Sequence, residues 1–197
     1  MKHGIKTGEY FTIKNATINV TSAVGDGINC EEYFLMESGT INFSGTQDDG
    51  IQCDIDGDAS TGETDDHEDE DSGNVYIEGG TIIVIGGLES GAQLTQSCYQ
   101  TSSWSKNTWY AMTIGNDTFV FKTPSSGGNT MVVSGASQPT LKSGVTVSGG
   151  TSIFDGVAYT GATFTSGSNV TLSSYTGGGG GPGGGGQPGS GGGPCVQ

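Results

Sequence analysis

Along the first half of the chain, apolar residues recur at every second position in short runs, and the runs themselves recur. The phrase "DGINC" at residues 26–30 returns as "DGIQC" at 49–53, and a fainter version, "HGIKT", stands at 3–7, each 23 residues from the next. Aligned on these phrases, Ile5, Ile28 and Ile51 fall in one column and Thr7, Cys30 and Cys53 in another. Phe11 then matches Phe34, Ile13 matches Met36, Thr17 matches Thr40, Ile18 matches Ile41 and Val20 matches Phe43. A third unit continues at "NVYIEGGTIIVIGG", where Val75, Ile77, Thr81, Ile82 and Val84 take the same places after 18 extra residues, 54–71. Alternation with a period of two marks half-buried strands. Three short strands per unit, with like residues over like, predict an all-β chain built on a parallel β-helix of about three 23-residue coils. A β-sandwich of evenly spaced hairpins is the alternative, but hairpins need frequent turns and no fixed register.

An insertion within one repeat belongs in a loop on the outside of the stack, so 54–71 is expected there. Beyond residue 87 the period decays. "GLESGAQLTQSC" begins like a fourth coil, with Ser90-Gly91-Ala92 in place of Asp-Gly-Ile. "YAMTIGNDTFVFKTP", "TMVVSG" and "LKSGVTVSGG" read as antiparallel strands, and 88–176 are expected to hold the last coil and a β cap over the exposed end of the coils. Nothing caps the other end, where the chain starts inside a coil, so upstream coils or a partner are expected to cover that edge. Residues 177–197 are glycine- and proline-rich with no apolar periodicity, which predicts a disordered tail.

Composition sharpens this picture at three points. The net charge of −15 is concentrated: ten of the 21 acidic residues fall in 54–71, and the chain has no arginine. Nucleic acid is thereby an unsuitable partner, since phosphate contacts need a basic surface. No apolar run is long enough to cross a membrane, and the N-terminus lacks the apolar region of a signal peptide. Cys30, Cys53, Cys98 and Cys195 match no zinc spacing. Cys30 and Cys53 share an inward column and read as a compact apolar ladder that Cys98 extends.

The stacking carries chemistry. In register, Asp26 and Asp49 stand one above the other at a corner, with Asp48 beside them. Carboxylates that close repel unless a cation intervenes, and Ca²⁺ takes oxygen ligands of this kind. Asp-Gly as a favoured turn dipeptide is the simpler alternative. The 54–71 loop spaces Asp54, Asp56 and Asp58 like the first ligands of an EF-hand, but Ala59 stands where glycine is required and Asp65 where glutamate is. A solvated acidic loop is expected, with His67 a bystander. Lys6 stacks outward over Asn29 and Gln52, a row able to meet a ligand. Tyr99, Trp104, Trp109 and Tyr110 either stack on sugar rings or, as the favoured expectation, fill the joint between coils and cap.

With "KHGIKT…FTIKNATINVTS", "DGINC…GTINFSG", "DDGIQC", "GNVYIEGGTIIVIGG" and "GLESGAQLTQSCYQ", the chain resembles the bacterial carbohydrate-binding domain β-helix family over residues 2–175. That family is similar in fold to pectate lyases but binds acidic sugars rather than cleaving them. The resemblance implies a right-handed β-helix, a secreted or cell-surface location, bound calcium and affinity for acidic polysaccharide such as polygalacturonate. The calcium role falls on Asp26, Asp48 and Asp49, and His3 takes the corresponding place in the first coil. A lyase or hydrolase and an adhesive spacer are the competing functions. β-Elimination needs a strong base, and without arginine Lys6 is the only lysine on the regular coil face near the acidic corner. A hydrolase needs two carboxylates at a set separation, which Asp48 and Asp49 alone do not supply.

Overall fold

The structure is a computed structural model, and it describes residues 3–8, 10–20, 23–30, 33–43, 49–53, 74–89 and 92–177. Asp48, His67, Cys195, the acidic insertion 54–71 and the tail from 178 lie outside the described residues. The described chain is all β. Each of the first units contributes three strands: β1 (Ile5–Thr7), β2 (Tyr10–Ile13) and β3 (Ala16–Val20), then β4 (Ile28–Cys30), β5 (Tyr33–Met36) and β6 (Gly39–Phe43), then β7 (Ile51–Cys53), β8 (Asn74–Ile77) and β9 (Thr81–Ile85). They pair in three parallel ladders, β1-β4-β7, β2-β5-β8 and β3-β6-β9.

Register follows the sequence columns. Ile5 pairs with Ile28 and Ile28 with Ile51; Phe11 with Phe34 and Phe34 with Val75; Ile18 with Ile41 and Ile41 with Ile82. Slipping by one residue would turn every one of these side chains to the opposite face, so burial of one face locks the pairing. That face forms the first core, in which Ile28, Phe34, Met36, Ile41, Phe43, Ile51, Val75, Ile77, Ile82 and Val84 are fully buried. Burying each such side chain contributes roughly 1.5–3 kcal/mol before the cost of ordering it. The turn glycines before the first ladder are there for want of space. A Cβ on Gly4 or Gly50 would run into Val20 or Val84 respectively, as well as a backbone carbonyl of the next unit.

The fourth unit is partial, and its register differs from the sequence expectation. Ile51 bridges to Leu88, so Leu88 and not Ala92 continues the isoleucine column. The sequence comparison matched the Gly at 91 to the repeated Asp-Gly, whereas Gly50 donates its N–H to the carbonyl of Gly87. β10 (Gln93–Leu94) then joins the second ladder beside β8.

From here the strands run antiparallel. β11 (Cys98–Thr101), β12 (Trp109–Ile114), β13 (Asp117–Lys122), β14 (Met131–Ser134), β15 (Thr140–Ser143), β16 (Thr146–Ser148), β17 (Thr151–Ile153), β18 (Ala158–Thr160), β19 (Thr163–Thr165), β20 (Ser168–Val170) and β21 (Ser173–Tyr175) complete the described chain. β14 pairs antiparallel with β9, β11 with β14, and β21 with β11, so the third ladder continues into one six-stranded mixed sheet. A second six-stranded sheet, ordered β17-β18-β13-β12-β15-β20, is wholly antiparallel. Between these two sheets lies a second core that includes Ile83, Ile85, Tyr110, Met112, Phe121, Met131 and Val133. The far face of the second sheet carries a smaller cluster, where Ala111, Val120, Val145 and Ala162 are buried alongside Trp109, Val147, Tyr159 and Phe164. Tyr175 ties the halves together: its hydroxyl donates to the Leu88 carbonyl at 2.9 Å and accepts from the Leu88 N–H at 3.1 Å.

Candidate functional site

The acidic corner is built by backbone hydrogen bonds between units. Gly4 N–H donates to the carbonyl of Asp26, and Gly27 N–H to that of Asp49, which sets His3, Asp26 and Asp49 at successive levels of one edge. Asp26 is only 2 % exposed, a position a carboxylate holds only with partners. Two are present at its Oδ2: His3 Nδ1 at 2.8 Å and the Asn29 side-chain amide at 3.4 Å. His3 thus pairs with Asp26 from one level along the column.

The row Lys6, Asn29, Gln52 is brought together as expected, Lys6 pairing with Asn29 and Asn29 with Gln52. Its exposure differs from the expectation. Lys6 is exposed and Gln52 half-buried, but Asn29 is 5 % exposed, and its amide also donates to Gln52 Oε1 at 3.2 Å. Asn29 therefore joins Asp26 to Gln52 inside the wall and does not present itself to a ligand. Among the described residues no group of three or more His, Cys, Asp and Glu side chains is placed to hold a metal ion. The corner sets two acids one level apart, and their backbone carbonyls accept from Gly4 and Gly27.

Cys30 and Cys53 pair directly in the first ladder as buried free thiols. The hydrogen-bonded Cys30 sulfur, and then burial, push the Cys53 thiol well above the ordinary thiol range. Cys98 does not extend this ladder. It lies in β11, paired antiparallel with Ser134 and Tyr175, and burial pushes its thiol up.

The aromatic cluster divides. Tyr110 is fully buried in the second core and stacks on Phe121 with centroids 5.7 Å apart. Trp104 and Tyr99 pack against the same core, and Trp104 Nε1 donates to the Gly128 carbonyl at 3.0 Å. These three fill the joint. Trp109 points the other way, because alternation along "WYAMTI" sends Tyr110 and Met112 inward and Trp109 outward with Ala111 and Thr113. There it meets Tyr159, with centroids 5.8 Å apart and planes inclined by 44°. The two rings line a cavity of about 510 Å³ together with Val145, Thr146, Val147 and Gly149. Tyr159 escaped the sequence reading, since "GVAYTG" carries no motif. The available signal was Trp109 itself, a large ring on a strand face otherwise made of alanine and threonine.

No curated protein and no solved structure matches this chain. A family model does, over residues 1–174, and the chain belongs to the carbohydrate-binding domain-containing protein family.

Proposed function

We propose that the chain is a non-catalytic module for acidic polysaccharide of the polygalacturonate type, working at a cell surface or outside the cell, and that calcium assists it. The three parallel ladders are, on this reading, the faces of a right-handed β-helix. The observation that carries the proposal is the in-register stacking of Asp26 over Asp49 along one edge of a chain that belongs to a carbohydrate-binding family. Residues 1–89 hold 19 acidic residues against three lysines, a surface that repels a polyuronate. A divalent ion supplies the positive charge such a contact needs, and Asp26, Asp48 and Asp49 are the residues that would hold it. His3 already engages Asp26, so an ion at this corner competes with the imidazole.

Binding without cleavage is the preferred form because the chain lacks arginine, and among the described residues Lys6 is the only lysine on the first ladder to act as base. The test is affinity electrophoresis in gels containing polygalacturonate, with calcium and with a chelator, alongside a spectrophotometric assay for unsaturated sugar. Retardation that the chelator weakens, with no unsaturated product, is the expected result. Product formation would replace the binding module with a lyase, and unretarded migration in calcium would remove the polysaccharide reading.

A further inference from the structure

We infer that the outer face of the second sheet is a separate glycan subsite that takes one anionic pyranose ring without a metal ion, a site that rests on the polysaccharide reading above but not on its acidic corner. The floor is aromatic. Trp109 and Tyr159 stand side by side over Ala111, Val120, Val145 and Ala162, and the cavity they line, about 510 Å³, lies in the range of small-molecule sites. Both rings pack on the small cluster of this face and not in the second core, and each stays only half-buried, so part of its surface is open to a ligand. The axial C–H bonds of a pyranose present an apolar, slightly positive face that an aromatic ring complements through its negative quadrupole. Thr146, exposed at the rim, adds a hydroxyl for the equatorial oxygens of the sugar.

Charge selects the kind of sugar. Lys122 lies directly opposite Trp109 across the β12–β13 ladder and is exposed. Side chains so paired rise from the same face with Cβ atoms about 5 Å apart, so the ammonium is within reach of a substituent on a ring stacked on Trp109. Lys142, opposite Ala111 on the same face, lies 5.8 Å from the centroid of the Phe164 ring and adds to the field. The setting is also not acidic. From residue 90 onward the chain holds three lysines (Lys106, Lys122 and Lys142) against two acids (Asp117 and Asp155), a net of +1, whereas residues 1–89 carry −16. A polyanion repelled by the first half meets no such barrier here, and a carboxylated ring gains a direct ion pair.

The experiment is titration of the full chain with polygalacturonate in excess chelator, comparing the natural protein with Trp109→Ala and Lys122→Gln and following intrinsic tryptophan fluorescence beside calorimetry. The natural protein is expected to bind in chelator. Trp109→Ala is expected to lose roughly tenfold or more in affinity, and Lys122→Gln about threefold with a shallower dependence on sodium chloride. Lys122 is a surface position, so its variant keeps the test valid if Trp109→Ala fails to fold. Binding seen only in calcium, or equal affinity of both variants in chelator, overturns the subsite while leaving the calcium-assisted module standing. Loss in Trp109→Ala with no effect in Lys122→Gln overturns the choice of an anionic ring. Absence of binding with calcium as well as without it removes the polysaccharide reading and this site with it.

Discussion

Replacing Tyr175 by phenylalanine isolates the joint between the parallel ladders and the antiparallel sheets. The hydroxyl bonds both to the N–H and to the carbonyl of Leu88, the residue that carries the isoleucine column past Ile51. Leu88 is 0 % exposed and Tyr175 5 %, so water has little access to replace the lost group. The ring itself stays buried in the first core, and apolar burial is nearly unchanged. What remains is one backbone donor and one acceptor left without their partner, each costing about 1–3 kcal/mol, for a predicted loss of roughly 2–4 kcal/mol after partial relaxation. For a domain of this size that corresponds to a fall in Tm of roughly 5–15 °C. Urea unfolding followed by circular dichroism gives the number, with Tyr10→Phe as control, since Tyr10 is 54 % exposed and is expected to shift by less than about 0.5 kcal/mol. A Tyr175→Phe loss no larger than the control's would refute the view that this hydroxyl fastens the two halves.

Other outcomes follow from the same structure. Gly50→Ala, whose new methyl would meet Val84 and the Gly87 carbonyl, is expected to lose about 1–3 kcal/mol in urea unfolding. Asn29→Asp sets a second carboxylate against the buried Asp26 and is expected to lower Tm at neutral pH, with part of the loss recovered as pH falls through the carboxylate range. Burial raises the Cys98 thiol and the Tyr175 phenol, so the folded chain holds these protons more tightly than the unfolded chain. Their contribution is complete below about pH 8.5, the ordinary thiol value, and is lost as pH rises beyond it. Tm is therefore expected to fall between about pH 8.5 and 10.5, and a flat profile there would contradict the burial of both groups.

The parallel register was legible because identical spacing brings identical side chains together, and Ile5, Ile28 and Ile51 needed no other information. The fourth unit was not, because Leu88 resembles isoleucine only in bulk and no Asp-Gly precedes it. Its pairing is settled by backbone hydrogen bonds that leave no mark in composition. Asn29 was misjudged for a related reason. Period-two alternation tells which side of a strand a residue takes, but not whether other chain segments cover that side. Trp109 and Tyr110 are neighbours in sequence with opposite fates, and only pairing with β13 and β15 reveals which ring the second core claims. Tyr159 and Lys122 join Trp109 through antiparallel contacts, whose partners no fixed spacing announces.

The claim on which the functional account turns is affinity for acidic polysaccharide. A glycan array carrying neutral and uronic-acid polymers, probed with the full chain in calcium and again in chelator, tests it most directly. The account predicts saturable signal on polygalacturonate that is stronger in calcium, with little on neutral glucans. Equal signal across all polymers, or none on any uronate with calcium present, would contradict it.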